Sequence, residues 1–235
     1  MISALSAHSL QFPAISGALE EPNGLLAVGG DLSPPRLLEA YRLGIFPWFS
    51  DDDPILWWSP DPRGVIFPEQ LHISRSLRKF VRNCNYTCTF NQAFAEVISG
   101  CIAQREHTEG SWITDDMYEA YCDLHDLGHA HSVEVWSAGR LVGGLYGILN
   151  GQVFCGESMF HHADHASKIA LMALVQHLSP AGLGLIDCQI PNPHLLSLGA
   201  QALPRAEFLP ILQRLGETKI EHEYLIPQSI SGICR

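Results

Sequence analysis

The run from Leu141 to Phe160 constrains this chain more than any other segment. Two apolar arms, Leu141-Val142-Gly143-Gly144-Leu145-Tyr146-Gly147-Ile148-Leu149 and Gln152-Val153-Phe154-Cys155-Gly156-Glu157-Ser158-Met159-Phe160, flank the dipeptide Asn150-Gly151. Asn-Gly between such arms is the strongest short-range hairpin signal, because a type I′ turn needs positive φ at both central residues. The second arm carries a single acid, Glu157. A later segment repeats that anomaly. Leu185-Ile186-Asp187-Cys188-Gln189-Ile190 reads as a short apolar strand with glycines upstream and prolines downstream. Side chains alternate along a strand, so Asp187 and Gln189 are expected on one face. An unpaired buried carboxylate costs several kcal/mol, so this pair must find partners or line a cavity. Isolated acids on two such strands predict a site for a cationic or amine-bearing group.

The rest of the chain falls into a coarse order around these strands. Ser33 as N-cap, Pro34 and Pro35 in the first turn and Gly44 past the end predict a helix over about 33–43. A strand near 64–67, a basic helix, a strand at 86–90 and helices at 91–103 and 114–127 follow. Then come a strand at 131–136, the hairpin, a buried helix at 165–178 and the strand at 184–190. The proline-rich Trp57-Trp58-Ser59-Pro60-Asp61-Pro62-Arg63 reads as a rigid connector. It divides the chain into a small N-terminal α/β domain, 1–62, and a larger domain, 63–235. No internal repeat or low-complexity stretch is visible.

At 235 residues the chain is long enough for one large core or two modest ones, and 46% hydrophobic content suits a compact globule. Its seven cysteines are odd in number and scattered, several of them within apolar runs. With no basic leader followed by an apolar stretch, they read as thiols of a reducing, cytoplasmic protein. No apolar run approaches the roughly 18 residues needed to span a bilayer, so no membrane partner is expected. A formal charge of −11 argues against broad affinity for nucleic acids or anionic membranes. One local exception stands out. Arg75, Arg78, Lys79 and Arg82, four of fourteen basic residues, recur at i, i+3, i+4 and i+7 and so share a helical face, with Ser74 or Ser76 as its start. That face is either simply solvated or a stripe for phosphates.

The order of antiparallel strands, hairpin, buried helix and strand resembles the core of the GNAT acyltransferase fold, an α+β arrangement with a mixed, largely antiparallel sheet. An acyl-CoA user of that fold holds pyrophosphate on a Gly-rich loop at a helix N-terminus. The matching stretch here, His161-His162-Ala163-Asp164-His165-Ala166-Ser167-Lys168, has no glycine, so a CoA donor is not expected.

Longer motifs carry a more specific resemblance. Glu21-Pro22-Asn23-Gly24-Leu25-Leu26, Gly29-Gly30-Asp31-Leu32-Ser33-Pro34, Gly44-Ile45-Phe46-Pro47-Trp48-Phe49 and Trp57 to Arg63 occur in order with His72-Ile73-Ser74-Arg75-Ser76, Phe154 to Phe160 and Ile186-Asp187-Cys188-Gln189. Nearly the whole chain thereby resembles the leucyl/phenylalanyl-tRNA–protein transferases, the bacterial N-end-rule aminoacyltransferases. The resemblance implies transfer of Leu or Phe, and less well Met, from aminoacyl-tRNA to proteins beginning with Arg or Lys. It implies neither metal nor nucleotide cofactor, and the chain is expected to act as a monomer. It places the catalytic pair at Asp187 and Gln189 and the acceptor's cationic side chain at Glu157. It places the aminoacyl side-chain pocket at Leu145, Phe154, Met159, Ile169 and Leu174. It likewise implies a 3′-adenosine and ester site at Trp48, Trp112, Tyr121 and Asn192, of which the aromatic faces are of the kind that stack on bases.

The transferred ester is already activated, so aminolysis needs an oriented, deprotonated amine and no covalent intermediate. Gln189 is too weak a base to take the proton outright. It is expected to accept a hydrogen bond from the amine, with Asp187 either fixing the orientation of its amide or favouring charge on the amine. Replacing Asp187 by Ala is then expected to slow turnover by about tenfold or more with the fold intact. His125, His129 and His131, and His161, His162 and His165, include i, i+4 pairs but no matching ligand set, so no metal is expected. Cys188 is expected on the opposite face of its strand and is no candidate nucleophile. The competing readings are a related transferase with another amine acceptor and a non-catalytic module that binds tRNA ends.

Overall fold

A computed structural model describes residues 2–106 and 113–234. In its N-terminal portion Ser3–Leu5 (β1), Leu25–Gly29 (β2), Phe46–Pro47 (β3) and Leu56–Trp58 (β4) form a four-stranded sheet in the order β1-β2-β4-β3. Helix α1, Pro34–Arg42, lies between β2 and β3 in sequence. Its prolines occupy the first turn, where a missing N–H is harmless, and Gly44 takes φ +77° just past the C-cap. Ser33 stands at the N-cap, but its hydroxyl bonds Asp31 instead of capping the helix. The expected connector is partly strand: Trp57 and Trp58 belong to β4, and Arg63 opens the next strand. Trp57 is fully buried and its Nε1 donates to the Gly29 carbonyl at 2.8 Å, so packing draws it into the sheet.

The second sheet holds eight strands: Arg63–Ile66 (β5), Tyr86–Phe90 (β6), Ala130–Ser137 (β7), Arg140–Asn150 (β8), Val153–His161 (β9), Leu185–Gln189 (β10), Gln201–Leu203 (β11) and Gln228–Ile230 (β12). Their order is β11-β5-β10-β9-β8-β7-β6-β12. Every neighbouring pair is antiparallel except β9 and β10, which run parallel. Helices α2 (Arg75–Val81), α3 (Phe94–Glu106), α4 (Asp115–Asp126), α5 (Ala166–Leu178), α6 (Pro193–Ser197) and α7 (Arg205–Gly216) complete the α+β arrangement. Ser74 and Thr114 cap α2 and α4, their hydroxyls accepting from Leu77 N and Met117 N at 3.2 Å.

Two hydrophobic clusters cover the large sheet, one on each face. Tyr146 and Ile148 pack with α3, α4 and the N-terminal sheet, through Phe94, Val97, Met117, Leu37 and Trp57. Leu145 and Phe154 pack with α5 and α2, through Ile169, Ala170, Leu174 and Leu77. The alternation of Leu145 and Tyr146 between these clusters is the period of a strand covered on both faces.

The hairpin differs from the expected type I′ turn. Asn150 pairs with Val153, so the loop residues are Gly151 and Gln152, and Gly151 has φ +59° while Asn150 stays outside the positive-φ region. A positive φ on the first loop residue is what a II′ turn asks of glycine. Tertiary bonds set this choice: Gln152 N donates to Leu215 O at 3.0 Å, and Gly184 N donates to Gln152 O at 2.9 Å.

Where β9 and β10 part company, both strands carry an irregularity. Their pairing ends at Asp187↔Cys155. Tyr146 then faces Ser158 while Gly147 faces Gly156, which leaves Glu157 as the extra, bulged residue of β9. Across β10, Asp187 faces Val65 and Gln189 faces Gly64, so Cys188 is extra there. Gly147 opposite the first bulge must be glycine, because a Cβ there would meet the Cys155 carbonyl and approach the Phe154 ring to 2.7 Å.

Candidate active site

The gap between the diverging strands is a cavity of about 850 Å3. Beyond the last paired residues its walls include Gly156, Glu157, Ser158 and Met159 from β9 and Cys188, Gln189 and Ile190 from the β10 end. Leu145, Phe154, Leu171, Leu174 and Ile186 form an apolar wall, and Trp48 and Trp58 stand at the N-terminal side. Trp48 is 40% exposed, and its ring sits edge-on to Trp58 at 5.5 Å, which leaves an indole face open.

Beneath the cavity a buried polar chain connects the strands. The Tyr41 and Tyr121 hydroxyls lie 2.6 Å apart, and Tyr121 donates to Glu157 Oε2 at 2.9 Å. Glu157 Oε1 accepts from Gln189 Nε2 at 3.3 Å. Burial pushes the Glu157 carboxyl up to about 7, with the Asp187 charge adding to the rise and the tyrosine hydroxyls and Arg63 opposing it. Burial likewise raises the Tyr121 hydroxyl, and the neighbouring Glu157 charge raises it further.

Asp187 occupies a different layer. It is 1% exposed and forms a bidentate ion pair with Arg63, Nε to Oδ1 at 2.8 Å and Nη2 to Oδ2 at 2.7 Å. The Arg63 guanidinium lies 4.9 Å from the ring centroids of both Phe46 and Phe208 and donates to the Gly44 carbonyl at 3.1 Å. Asp187 Oδ1 also accepts from the backbone N of Gln189 at 3.0 Å. That bond holds Gln189 at φ +56°, a left-handed conformation that costs a non-glycine residue about 1 kcal/mol or more.

These positions revise several expectations. Asp187 does not reach the cavity; it sets the Gln189 backbone, and Glu157 holds the Gln189 amide. Cys188, expected to face away, lines the cavity, because the bulge breaks the alternation. Its thiol is raised by burial and by the Asp187 charge, so it is held in the unreactive protonated form. Leu145, Phe154, Met159 and Leu174 line the cavity, whereas Ile169 is fully buried in the core outside it. Tyr121 is also fully buried, so its ring offers no face for a base and its hydroxyl supports Glu157 instead. Asn192 lines the cavity, and its Oδ1 caps α6 by accepting from Leu195 N at 2.9 Å. Trp112 lies outside the described residues. Arg75, Arg78, Lys79 and Arg82 are all exposed on and just after α2.

The residues not anticipated are Arg63, Tyr41, Leu171, Ile186 and Trp58. Arg63 had a signal: a lone arginine ahead of the apolar Gly64-Val65-Ile66-Phe67 is the natural counter-ion for a lone acid in another apolar strand. Of the histidines, His131 is pushed down to about 3 by burial and lies stacked on Phe90, so it is a neutral core residue. Among the described residues no group of three or more His, Cys, Asp or Glu is placed to hold a metal ion. All seven cysteines are free thiols, and no described helix is long and apolar enough to cross a membrane.

An α+β scaffold whose deep cleft joins an apolar wall to a buried, hydrogen-bonded carboxylate and amide has the make-up of an enzyme active site. Residues 65–213 match the family described as leucyl/phenylalanyl-tRNA protein transferase, and residues 30–61 match that family's N-terminal domain. The leucyl/phenylalanyl-tRNA–protein transferase of Yersinia enterocolitica is 58% identical over 230 residues, 98% of this chain and 97% of the relative. That of Yersinia pestis strain Pestoides F is 56% identical over the same shares of each chain. The chain belongs to the leucyl/phenylalanyl-tRNA–protein transferase family and is an aminoacyltransferase. Among solved structures, a conserved protein of unknown function from Staphylococcus epidermidis is similar at a TM-score of 0.42 and 8% identity, covering 77% of this chain and 68% of that one.

Proposed function

We propose that this enzyme moves Leu or Phe, and Met less well, from aminoacyl-tRNA to the N-terminal α-amine of proteins beginning with Arg or Lys, marking them for N-end-rule degradation. The observation that carries this reading is the hydrogen-bonded floor: Glu157 holds the Gln189 amide by its Nε2, which leaves Oε1 as the acceptor for an incoming amine. The donor's side chain takes the apolar wall of Leu145, Phe154, Met159 and Leu174, where the flexible Met159 adapts to Leu or Phe. Its terminal adenosine stacks on Trp48, with Asn192 completing that end. The acceptor's guanidinium or ammonium pairs with the Glu157 carboxylate.

The α-amine, with a reference pKa near 8, gives its first proton to solvent and is then aligned by Gln189 Oε1 on the ester carbonyl carbon. The C–N bond forms as the bond to the ribose oxygen breaks, and the departing oxygen takes one of the two remaining amine protons while the other stays on the new amide nitrogen. Asp187 and Arg63 are positioning residues in this scheme, acting through the Gln189 backbone. The opening between β9 and β10 supports a GNAT-like classification. We place the boundary between the small and large domains near residue 62, with the interface sealed by shared core residues and the Tyr41–Tyr121 contact.

Labelled Phe-tRNA incubated with peptides beginning Arg, Lys, Asp or Ala tests this reading. Transfer to the Arg and Lys peptides alone is expected. Transfer to other amines would make the chain a different aminoacyltransferase, and binding without transfer would make it a module. A second expectation concerns α2. Its exposed basic face lies on a protein of net charge −11 and suits acceptor-stem phosphates, which are contacted without reading base identity. Replacing Arg78 and Lys79 by Ala is expected to raise KM for Phe-tRNA and flatten its dependence on salt, since fewer counterions are released. Transfer from Phe-adenosine, which has no stem, is expected to stay at the wild-type rate. An unchanged salt slope would reduce the stripe to a solvated helix face.

A further inference from the structure

A second cavity, of about 640 Å3, opens beside the first and is lined by Gln104, His161, Asp164, His165, Ser167 and Lys168 together with Met159 and His194. Met159 and His194 also line the first cavity, so the two adjoin. On its other side His165 lies edge-on to Phe80 of α2 at 4.9 Å, which brings this cavity up to the helix that carries the basic stripe. The lining is rich in groups that attract an anion. Lys168 makes no ion pair among the described residues, although Asp164 belongs to the same wall. Burial lowers the His194 pKa, and the charges of Lys168 and His161 lower it further, so His194 sits within reach of both. Ser167 is 6% exposed, and its hydroxyl has no hydrogen-bond partner among the described residues although it belongs to the cavity wall. It stands in the first turn of the thirteen-residue α5, where unpaired backbone N–H groups and the helix dipole favour negative charge.

We infer that this cavity, built by Lys168, His161, His194 and Ser167, holds a phosphodiester of the single-stranded 3′ end of the donor RNA, between the adenosine in the main cavity and the stem on α2. The inference rests on the donor reading above. An unpartnered hydroxyl beside Lys168 and two histidines suits one anion, and the opening adjoins the main cavity on one side and α2 on the other, which suits a nucleotide strand running from α2 to Trp48. The contact is to backbone, so it is blind to base identity.

Three donors separate its parts, each assayed with a peptide beginning with Arg: Phe-adenosine, Phe linked to the trinucleotide CCA, and Phe-tRNA. The wild-type chain is expected to use the trinucleotide at a lower KM than the adenosine. Lys168→Ala is expected to raise KM about tenfold for the trinucleotide and for Phe-tRNA, with the adenosine donor unaffected. His161→Ala is expected to do the same more weakly, and Lys168→Arg to retain most of the wild-type behaviour. Losses equal on all three donors would make Lys168 structural and overturn the site. An unchanged KM for the trinucleotide in Lys168→Ala, or no gain from adenosine to trinucleotide in the wild type, would also overturn it. A wild-type chain inactive with all three donors would instead overturn the donor reading, and the site with it. The Arg78/Lys79 variant should leave the trinucleotide untouched, which keeps the stripe and this cavity distinguishable.

Discussion

Asp187→Ala is expected to cost roughly 3–5 kcal/mol of stability, because it strands the Arg63 guanidinium as an unpaired charge in the core. Both partners are 1% exposed, and the pair is bidentate at 2.7 and 2.8 Å. A loss of that size is a large fraction of the roughly 5–15 kcal/mol that holds a domain folded. Arg63→Ala should be comparably damaging, since it leaves the carboxylate alone. The double replacement Asp187→Leu with Arg63→Met should recover much of the loss, as a buried pair exchanged for apolar groups is often near neutral. Urea unfolding of the two single variants and the double variant decides this. A wild-type midpoint for Asp187→Ala would show that the pair contributes nothing. Loss of activity in that variant therefore reports folding as well as chemistry, contrary to the sequence-level expectation that the fold would be spared.

Glu157→Gln is expected to separate chemistry from stability in the opposite sense. Pairing with the acceptor's cation is charge-assisted and amounts to roughly 1.5–3 kcal/mol, so KM for peptides beginning with Arg should rise about 10- to 100-fold. Binding of Phe-tRNA should hardly change; equal losses on both substrates would assign Glu157 a structural role. The carboxyl sits at about 7 in the folded chain against an ordinary 4.5, so between those values the folded state binds the extra proton. Stability contributed by this group is therefore present at low pH and lost as pH rises through about 7, a penalty of roughly 3 kcal/mol in alkaline solution. Glu157→Gln abolishes that penalty. The variant should gain on the wild type in unfolding experiments at pH 8 and lose the advantage at pH 4, less about 1 kcal/mol for an imperfectly replaced hydrogen bond. Activity should follow the same group. As pH falls through about 7 the carboxylate is protonated, and wild-type KM for Arg peptides should climb towards that of the variant. The ratio of the two cancels the titration of the peptide's own α-amine, and a pH-independent ratio would refute the assignment.

What the sequence alone determined were features written in local pattern. The hairpin arms, the capped helices α2 and α4, the proline-led, glycine-ended α1 and the apolar α5 follow from period, capping chemistry and turn residues, which act over a few positions. The lone acids Glu157 and Asp187 were legible as anomalies for the same reason: an acid in an apolar strand demands an explanation wherever the strand goes. Nothing local announces α7, where Pro210 interrupts the helical pattern; the burial of Phe208 and Leu212 in the core that also holds Leu37 makes it a helix. The tertiary structure also decided which acid meets which partner. Asp187 finds Arg63 across 124 positions, and Tyr41 finds Tyr121 across 80. Such contacts depend on how strands pair and where pairing stops. The bulges at Glu157 and Cys188 shift the register by one residue at the mouth of the cavity, and a one-residue shift exchanges the faces of all that follows. That shift brings Cys188 to the cavity, while the buried ion pair with Arg63 keeps Asp187 beneath it. Alternation read along the chain cannot show it, because the register is set by the neighbouring strands.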